Sequence, residues 1–434
     1  MDKMADVLGR AGAWCGQNKY LSAIKNAFQN FMPLTIAGAI GVLWCNVLVN
    51  ESTGLGIFFK PIMALEFLNP AFQAVNFCTI SCITVGITLG IAQEIGVWNM
   101  GAEKAGYIPG LVGLAAWLSV TNTSHMVEGA KEAFTGIAGN ELGATGLFTG
   151  MIIGVLSVEL FCFFEKQDAL KIKMPEQVPP GVARAFEVLV PATITLIITA
   201  CIGSACYNLT GLYLNDVIKN GIQGPLGAVG ATIPGVMIIY LVIMLFWLVG
   251  IHGNNMLSAV KEALFTPLAL ENVEKFNKGE KPTNIINMYA LQMWGEFGGS
   301  GVTIGLVIAI MIFGKREDNK AIATLSLVPG LFNINETVTF GIPMVLNPIL
   351  GIPFVFACLV TILVGYVLTV IGFCPVACLT VPWTTPPIVF GFLACGANVM
   401  GAVTQAILIV VSTVIYTPFL ISYEKYQNKQ AAEA

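Results

Sequence analysis

The chain has 434 residues, of which 56% are hydrophobic and 11% charged, against roughly 25% charged in ordinary soluble domains. That composition excludes a soluble globular enzyme and specifies a multi-pass membrane protein in contact with the lipid bilayer. With 21 Lys and Arg against 25 Asp and Glu, a net charge of −4 and no basic run, it also excludes a nucleic-acid partner.

Residues 1–31 lack the compact apolar core of a cleavable signal. Met4, Val7, Leu8, Ala11 and Trp14, then Leu21, Ile24 and Phe28, recur at helical spacing with lysines between them. This predicts an interfacial amphipathic helix leading into the first crossing. Apolar segments of crossing length follow at 32–49, 74–92, 106–120, 147–164 and 188–206, and then at 226–251, 297–314, 342–373 and 399–421. Lys3, Arg10, Lys19 and Lys25 precede the first crossing, and Lys166, Lys171, Lys173 and Arg184 follow the fourth, whereas the loops on the other side hold only Lys60 or Lys131. The positive-inside rule therefore places the amino terminus in the cytoplasm.

The same rule fails in the second half unless one further crossing or partial insertion lies between His252 and Trp294. Without it Lys315, Arg316 and Lys320 would face outward. The expected fold is all-α and integral to the membrane, with about ten transmembrane helices and two re-entrant hairpins. Its parts are the amphipathic segment 1–31, a bundle 32–210 that includes a polar, proline-bearing cytoplasmic linker 166–187, a second transmembrane domain 211–422, and a cytoplasmic tail 423–434. That tail is far shorter than the roughly 50 residues of a soluble domain.

The eleven cysteines lie mostly inside apolar runs, as Cys78, Cys82, Cys162, Cys201, Cys206 and Cys358 do, and form no disulfide framework. The pairs Cys78/Cys82 and Cys374/Cys378 have helical spacing but no accompanying His or carboxylate cluster, so neither a metal site nor a cofactor is expected.

Between Lys320 and Glu424 the single charged side chain is Glu336. An ionisable group at membrane depth is costly unless it is paired, solvated or used, which makes Glu336 a functional-site residue by default. It sits in PGLFNINETVTFGIPMVLNP, residues 329–348. A second Gly-interrupted stretch, WLVGIHGNN at 247–255, carries His252 between Gly250 and Gly253. Non-helical backbone at membrane depth survives only where protein or a cavity covers it, so paired interruptions of this kind point to a transport site. Brought together, His252 and Glu336 could pair, and Asn254, Asn255, Asn333 and Asn335 add donors and acceptors suited to the hydroxyls of an uncharged polyol. Trp247 and Trp383 each flank a break and could offer a flat face to a sugar ring, although the usual role of membrane tryptophans is at the interface. Glu159 is the competing buried acid, close enough to its helix end to snorkel. His125, in a polar loop, reads as solvated.

These stretches, with VPWTTPP around Trp383 and IKMPEQVPPGVARAF in the linker, resemble over nearly the whole chain the membrane-spanning IIC component of the bacterial phosphoenolpyruvate-dependent sugar phosphotransferase system. Within it they resemble the lactose, cellobiose and chitobiose branch. One departure is NINET where relatives often have NINEP, which places Thr337 after the acid. The resemblance implies a homodimer in the bacterial cytoplasmic membrane, with both termini inside, whose first half supplies the dimer contact and whose second half holds the sugar between two re-entrant hairpins. It assigns contact with the sugar's C6 hydroxyl to His252 and Glu336, and places Trp247, Gly253, Asn335 and Trp383 around the disaccharide. The phosphoryl donor it implies is a phosphocysteine on a separate IIB protein, so no turnover is expected from this chain alone.

Two other readings stand beside it. A proton-coupled secondary sugar transporter would use Glu336 to carry the coupling proton and would accumulate unmodified sugar. An integral-membrane enzyme acting alone is disfavoured, because the sequence shows no metal-ligand cluster, nucleophile motif or nucleotide loop.

Overall fold

The computed structural model describes residues 14, 17–51, 56, 59–125, 134–175, 177–225, 230–342 and 344–433. Met4, Val7, Leu8, Ala11 and Lys131 of the expected segments, the start of segment 226–251 and Pro343 lie outside the described residues. Hydrocarbon offers the backbone no hydrogen-bond partner, so a chain of this composition closes its bonds within helices. Helices accordingly dominate, and among the described residues the one strand pair is the two-residue ladder of Ser124–His125 with Phe134–Thr135.

Among the described residues five helices are long and apolar enough to span a membrane: Lys19–Leu48, Ala144–Glu165, Pro180–Thr210, Gly351–Val370 and Val399–Ala432. Two bent pairs, Lys60–Ser81 with Ile83–Met100 and Met288–Val302 with Ile304–Phe313, raise the number to at most seven, if each pair is one broken span rather than a re-entrant loop. The shorter apolar helices Ile108–Val120 and Ile233–Leu248 fall on two further expected segments.

Three boundaries differ from expectation for identifiable reasons. The described part of the amphipathic segment is not a separate interfacial helix: from Lys19 onward it runs without a break into the first span. Lys19 does not interrupt it, because its ammonium pairs with Glu159 at 2.6 Å and donates to Asn99 at 3.3 Å. Segment 297–314 is α-helical only from Ile304, after a single 3-10 turn at Ser300–Val302, since Gly298, Gly299, Gly301 and Val302 all take positive φ, and the pair bends by 59° there. Segment 342–373 is helical over Gly351–Val370, after a turn-rich approach. Between His252 and Trp294, where an extra insertion was required, lies the helix Ser258–Asn277. Lys261, Glu262, Glu271, Glu274 and Lys275 make it too polar to register as a span by composition.

The chain clusters into two compact units: Gln17–Gly38 with Ala74–Ala228, and Ala39–Gln73 with Val229–Ala434. In the first, helices approach closely through small residues, the usual way helices associate in lipid. A Cβ on Gly150 would lie 2.2 Å from Thr88 Oγ1, and one on Gly113 would lie 2.3 Å from the Ala92 Cβ. Thr84 Oγ1 donates to the Gly143 carbonyl at 2.7 Å, and Thr149 donates to Asn215 at 2.7 Å. Buried Glu165 accepts Lys104 at 2.9 Å and Arg184 at 3.0 Å, tying the helix before the linker to the helix after it. Glu159 is thus the partner of Lys19 within this unit, and His125 lies in the short strand pair, its ring 5.6 Å from that of Phe134.

In the second unit Trp294 is buried against Gly365, where a Cβ would stand 2.4 Å from the indole. The Tyr416 hydroxyl donates to the Gly301 carbonyl at 2.8 Å, anchoring the bent segment to the last helix. Gln405 of that helix accepts the backbone N–H of Ile388 and of Gly391 and donates to the Met293 carbonyl. One side-chain amide thereby fixes the end of the loop that carries Trp383.

Gly150→Leu is expected to destabilise the first unit by about 1–3 kcal/mol, the usual cost of overpacking. A melting temperature in detergent equal to that of the parent chain would contradict the close helix contact at Thr88.

Candidate functional site

The site is assembled from three loops of the second unit. The first follows the helix Ile233–Leu248, where Gly250 takes φ +82° and the chain turns through His252 into the short helix Gly253–Met256. Gly253 is required by close backbone approach: a Cβ there would lie 2.0 Å from the Ile243 carbonyl oxygen. His252 caps this helix, its Nδ1 accepting the Asn255 N–H at 3.2 Å. A ring nitrogen that accepts carries no proton, so in the neutral imidazole the proton sits on Nε2.

The second loop is NINE. The helix Glu317–Leu331 ends at Phe332, Asn333 takes φ +63°, and Glu336 opens the helix Glu336–Gly341. The third is the bent segment 296–303, which holds the second loop in place. Its Gly298 N–H donates to Asn333 Oδ1 at 2.6 Å, and its Ser300 carbonyl accepts Asn335 Nδ2 at 2.8 Å. Gly299, at φ +86°, leaves no room for a Cβ against Asn335. Ser300 Oγ accepts Asn254 Nδ2 at 3.1 Å, so the same segment also touches the His252 loop. A further tie is direct, from the Leu346 N–H to the Leu248 carbonyl at 2.8 Å.

These ties bring the two predicted residues together. His252 Nε2 stands 3.9 Å from Glu336 Oε1, and the side chains are 38% and 47% exposed. That separation is too long for a direct hydrogen bond. It suits a bridging hydroxyl or water held between a donor and a carboxylate, and the exposure leaves room for one to arrive.

The other predicted residues occupy distinct places. Asn335 is buried and spent on Ser300 and Thr339, so it holds the loop rather than facing solvent. Trp247 is buried beneath the imidazole, ring centroids 4.4 Å apart, and its Nε1 has no hydrogen-bond partner among the described residues. Trp383 is 45% exposed, and Asn333 Nδ2 donates to its carbonyl and to that of Thr385. Asn333 thus pins the Trp383 loop to the loop of the acid. Of the two tryptophans, Trp383 is therefore the exposed one.

The chain matches the family model described as Phosphotransferase system, EIIC, over residues 25–358. It is 33% identical to the PTS system oligo-beta-mannoside-specific EIIC component of Bacillus subtilis (strain 168), over 98% of this chain and 94% of that protein. It is 28% identical to the PTS system cellobiose-specific EIIC component of Lactococcus lactis subsp. lactis (strain IL1403), over 98% of both chains. Its fold matches the crystal structure of the transporter ChbC, the IIC component from the N,N'-diacetylchitobiose-specific phosphotransferase system, with a TM-score of 0.88 and 29% identity over 97% of each chain.

The chain belongs to the phosphotransferase EIIC family. An EIIC protein is an integral-membrane permease component, which agrees with the apolar spans of both units. His252 and Glu336 both lie inside the matched region.

Sequence reasoning missed a cluster beside this candidate site. Glu296 Oε1 accepts the Tyr240 hydroxyl at 2.7 Å and pairs with Lys261, and Tyr240 and Lys261 are both buried. Lys261 lies in a stretch of ordinary charge density and Glu296 abuts an apolar run, so neither stands out by rarity as Glu336 does. The available signal was the Gly298, Gly299, Gly301 triplet, a helix break inside a segment counted as one crossing.

Proposed function

We propose that this EIIC chain is the sugar permease of a phosphotransferase system of the cellobiose and lactose branch, translocating a β-linked disaccharide and presenting its C6 hydroxyl to a separate phospho-IIB protein. The observation that carries the reading is the 3.9 Å gap between His252 Nε2 and Glu336 Oε1. A hydroxyl oxygen seated there accepts the Nε2–H and donates its own proton to the carboxylate. As that oxygen bonds to phosphorus, the bond from phosphorus to the IIB cysteine sulfur breaks and thiolate leaves, while Glu336 takes the hydroxyl proton. Such transfer asks chiefly for in-line positioning and a proton acceptor, and the pair supplies both. Of the two tryptophans, exposed Trp383 is the one available to a sugar ring, while buried Trp247 packs against the imidazole.

The proton-coupled alternative is not favoured: the family match and the relatives named above all belong to phosphotransferase systems. The family likeness further supports a homodimer in the bacterial cytoplasmic membrane, formed through the first bundle, which light scattering of the purified chain would count as two copies.

Glu336→Gln is expected to abolish sugar phosphorylation, because the amide keeps the shape but cannot take the proton; wild-type phosphorylation by this variant would remove Glu336 from the site. His252→Ala should weaken sugar binding by about 1–3 kcal/mol, the usual loss when a ligand hydroxyl held beside a charged group loses its partner. An unchanged affinity would make His252 purely structural.

A ten-crossing topology puts Lys173, Lys315 and Lys425 all in the cytoplasm, on the side from which IIB reaches the sugar. Single cysteines at these positions, in a background cleared of reactive thiols, should label with a membrane-impermeant reagent in inverted vesicles and resist it in intact cells. Labelling of position 315 from outside would refute the insertion between His252 and Trp294.

A further inference from the structure

Glu296 stands where the two halves of the site meet. On one side its Oε1 holds Tyr240, from the helix that enters the His252 loop, and Lys261, from the helix that leaves it. On the other side the residues that immediately follow, Gly298 to Ser300, grip Asn333 and Asn335 of the Glu336 loop. A single carboxylate therefore braces both helices around the imidazole, and the hydrogen bonds of Gly298 and Ser300, two and four residues farther on, hold the loop that carries the acid.

The cluster has no evident alternative role. The side chains of Lys261 and Glu296 are 7% and 17% exposed and Tyr240 is buried, so the pair is largely withdrawn from the surface. A buried ion pair adds little net stability over an apolar packing of the same volume, whereas its geometry is specific.

We propose that Lys261, Glu296 and Tyr240 are positioning residues that set the spacing of His252 and Glu336 for phosphoryl transfer; the proposal rests on the sugar-site reading above. Their effect falls on transfer more than on binding. A disaccharide has many other hydroxyls to hold it, but in-line attack depends on where one hydroxyl sits between donor and acceptor, and a displacement of about 1 Å can lower a rate about a hundredfold.

The test uses the full chain in detergent or nanodiscs with a phosphorylated IIB protein of this branch, and whichever of cellobiose, N,N'-diacetylchitobiose and lactose binds it most tightly. Glu296→Asp keeps the charge and withdraws it by one methylene, and Tyr240→Phe deletes one oxygen and leaves the ion pair. Glu296→Asp is expected to lower kcat at least tenfold and Tyr240→Phe about threefold or more, each with KM changed less than threefold. Glu336→Gln, measured alongside, separates the failures: if it retains full activity, the site reading itself falls. If Glu336→Gln is inactive while both positioning variants keep the parent kcat, with or without a lower melting temperature, the cluster is structural and the proposal is overturned. Should Glu296→Asp not fold, Tyr240→Phe decides by the same criterion.

Discussion

A polar backbone group without a partner at membrane depth costs several kcal/mol, and the second unit is organised around that constraint. Its working loops are not helical, so their backbone groups need partners from elsewhere, and side-chain amides supply them. Asn333 takes one backbone N–H and gives to two carbonyls, Asn335 gives to the Ser300 carbonyl, and Gln405 serves two N–H groups and one carbonyl. Farther along, Asn272 receives the N–H groups of Thr283 and Asn284 and donates to the carbonyls of Asn284 and Ala377. An amide carries no charge to desolvate, yet offers donor and acceptor at one position.

The proposed function follows from that arrangement. With the loops fixed by amides, two ionisable side chains can remain partly exposed and short of direct contact. A hydrogen-bonded His252 and Glu336 would have no gap for a hydroxyl, and a pair much farther apart could not hold one from both sides. The separation observed lies between these limits, and the segment 296–303 touches both loops.

Much of this was legible in the sequence. Glu336 is conspicuous because charge is scarce around it, and His252 because glycines flank it in a run without other charges. The family resemblance rested on these same stretches and agrees with the match over residues 25–358. What was not legible depends on long-range geometry. Segment 297–314 counts as apolar whether or not it is helical, and only the positive φ angles of its glycines reveal the break. Both tryptophans flank a break, but which one is open depends on packing, which leaves Trp383 exposed and Trp247 covered. The ion pair of Lys261 with Glu296 spans 35 positions and carries no local pattern. The division into units likewise groups Ala39–Gln73 with the second half of the chain, an association made in space rather than along the sequence.

The central claim is that sugar moves through this chain to be esterified at one hydroxyl. The most direct measurement is the chemical form of sugar recovered from proteoliposomes that enclose phospho-IIB, supplied in turn with a disaccharide that the chain binds and with its analogue lacking the oxygen at C6. The account predicts that the parent sugar is recovered inside as its 6-phosphate ester and that the deoxy analogue is recovered without phosphate. Accumulation of the unmodified parent sugar against its gradient, collapsed by an uncoupler, would contradict it and establish Glu336 as a proton carrier instead.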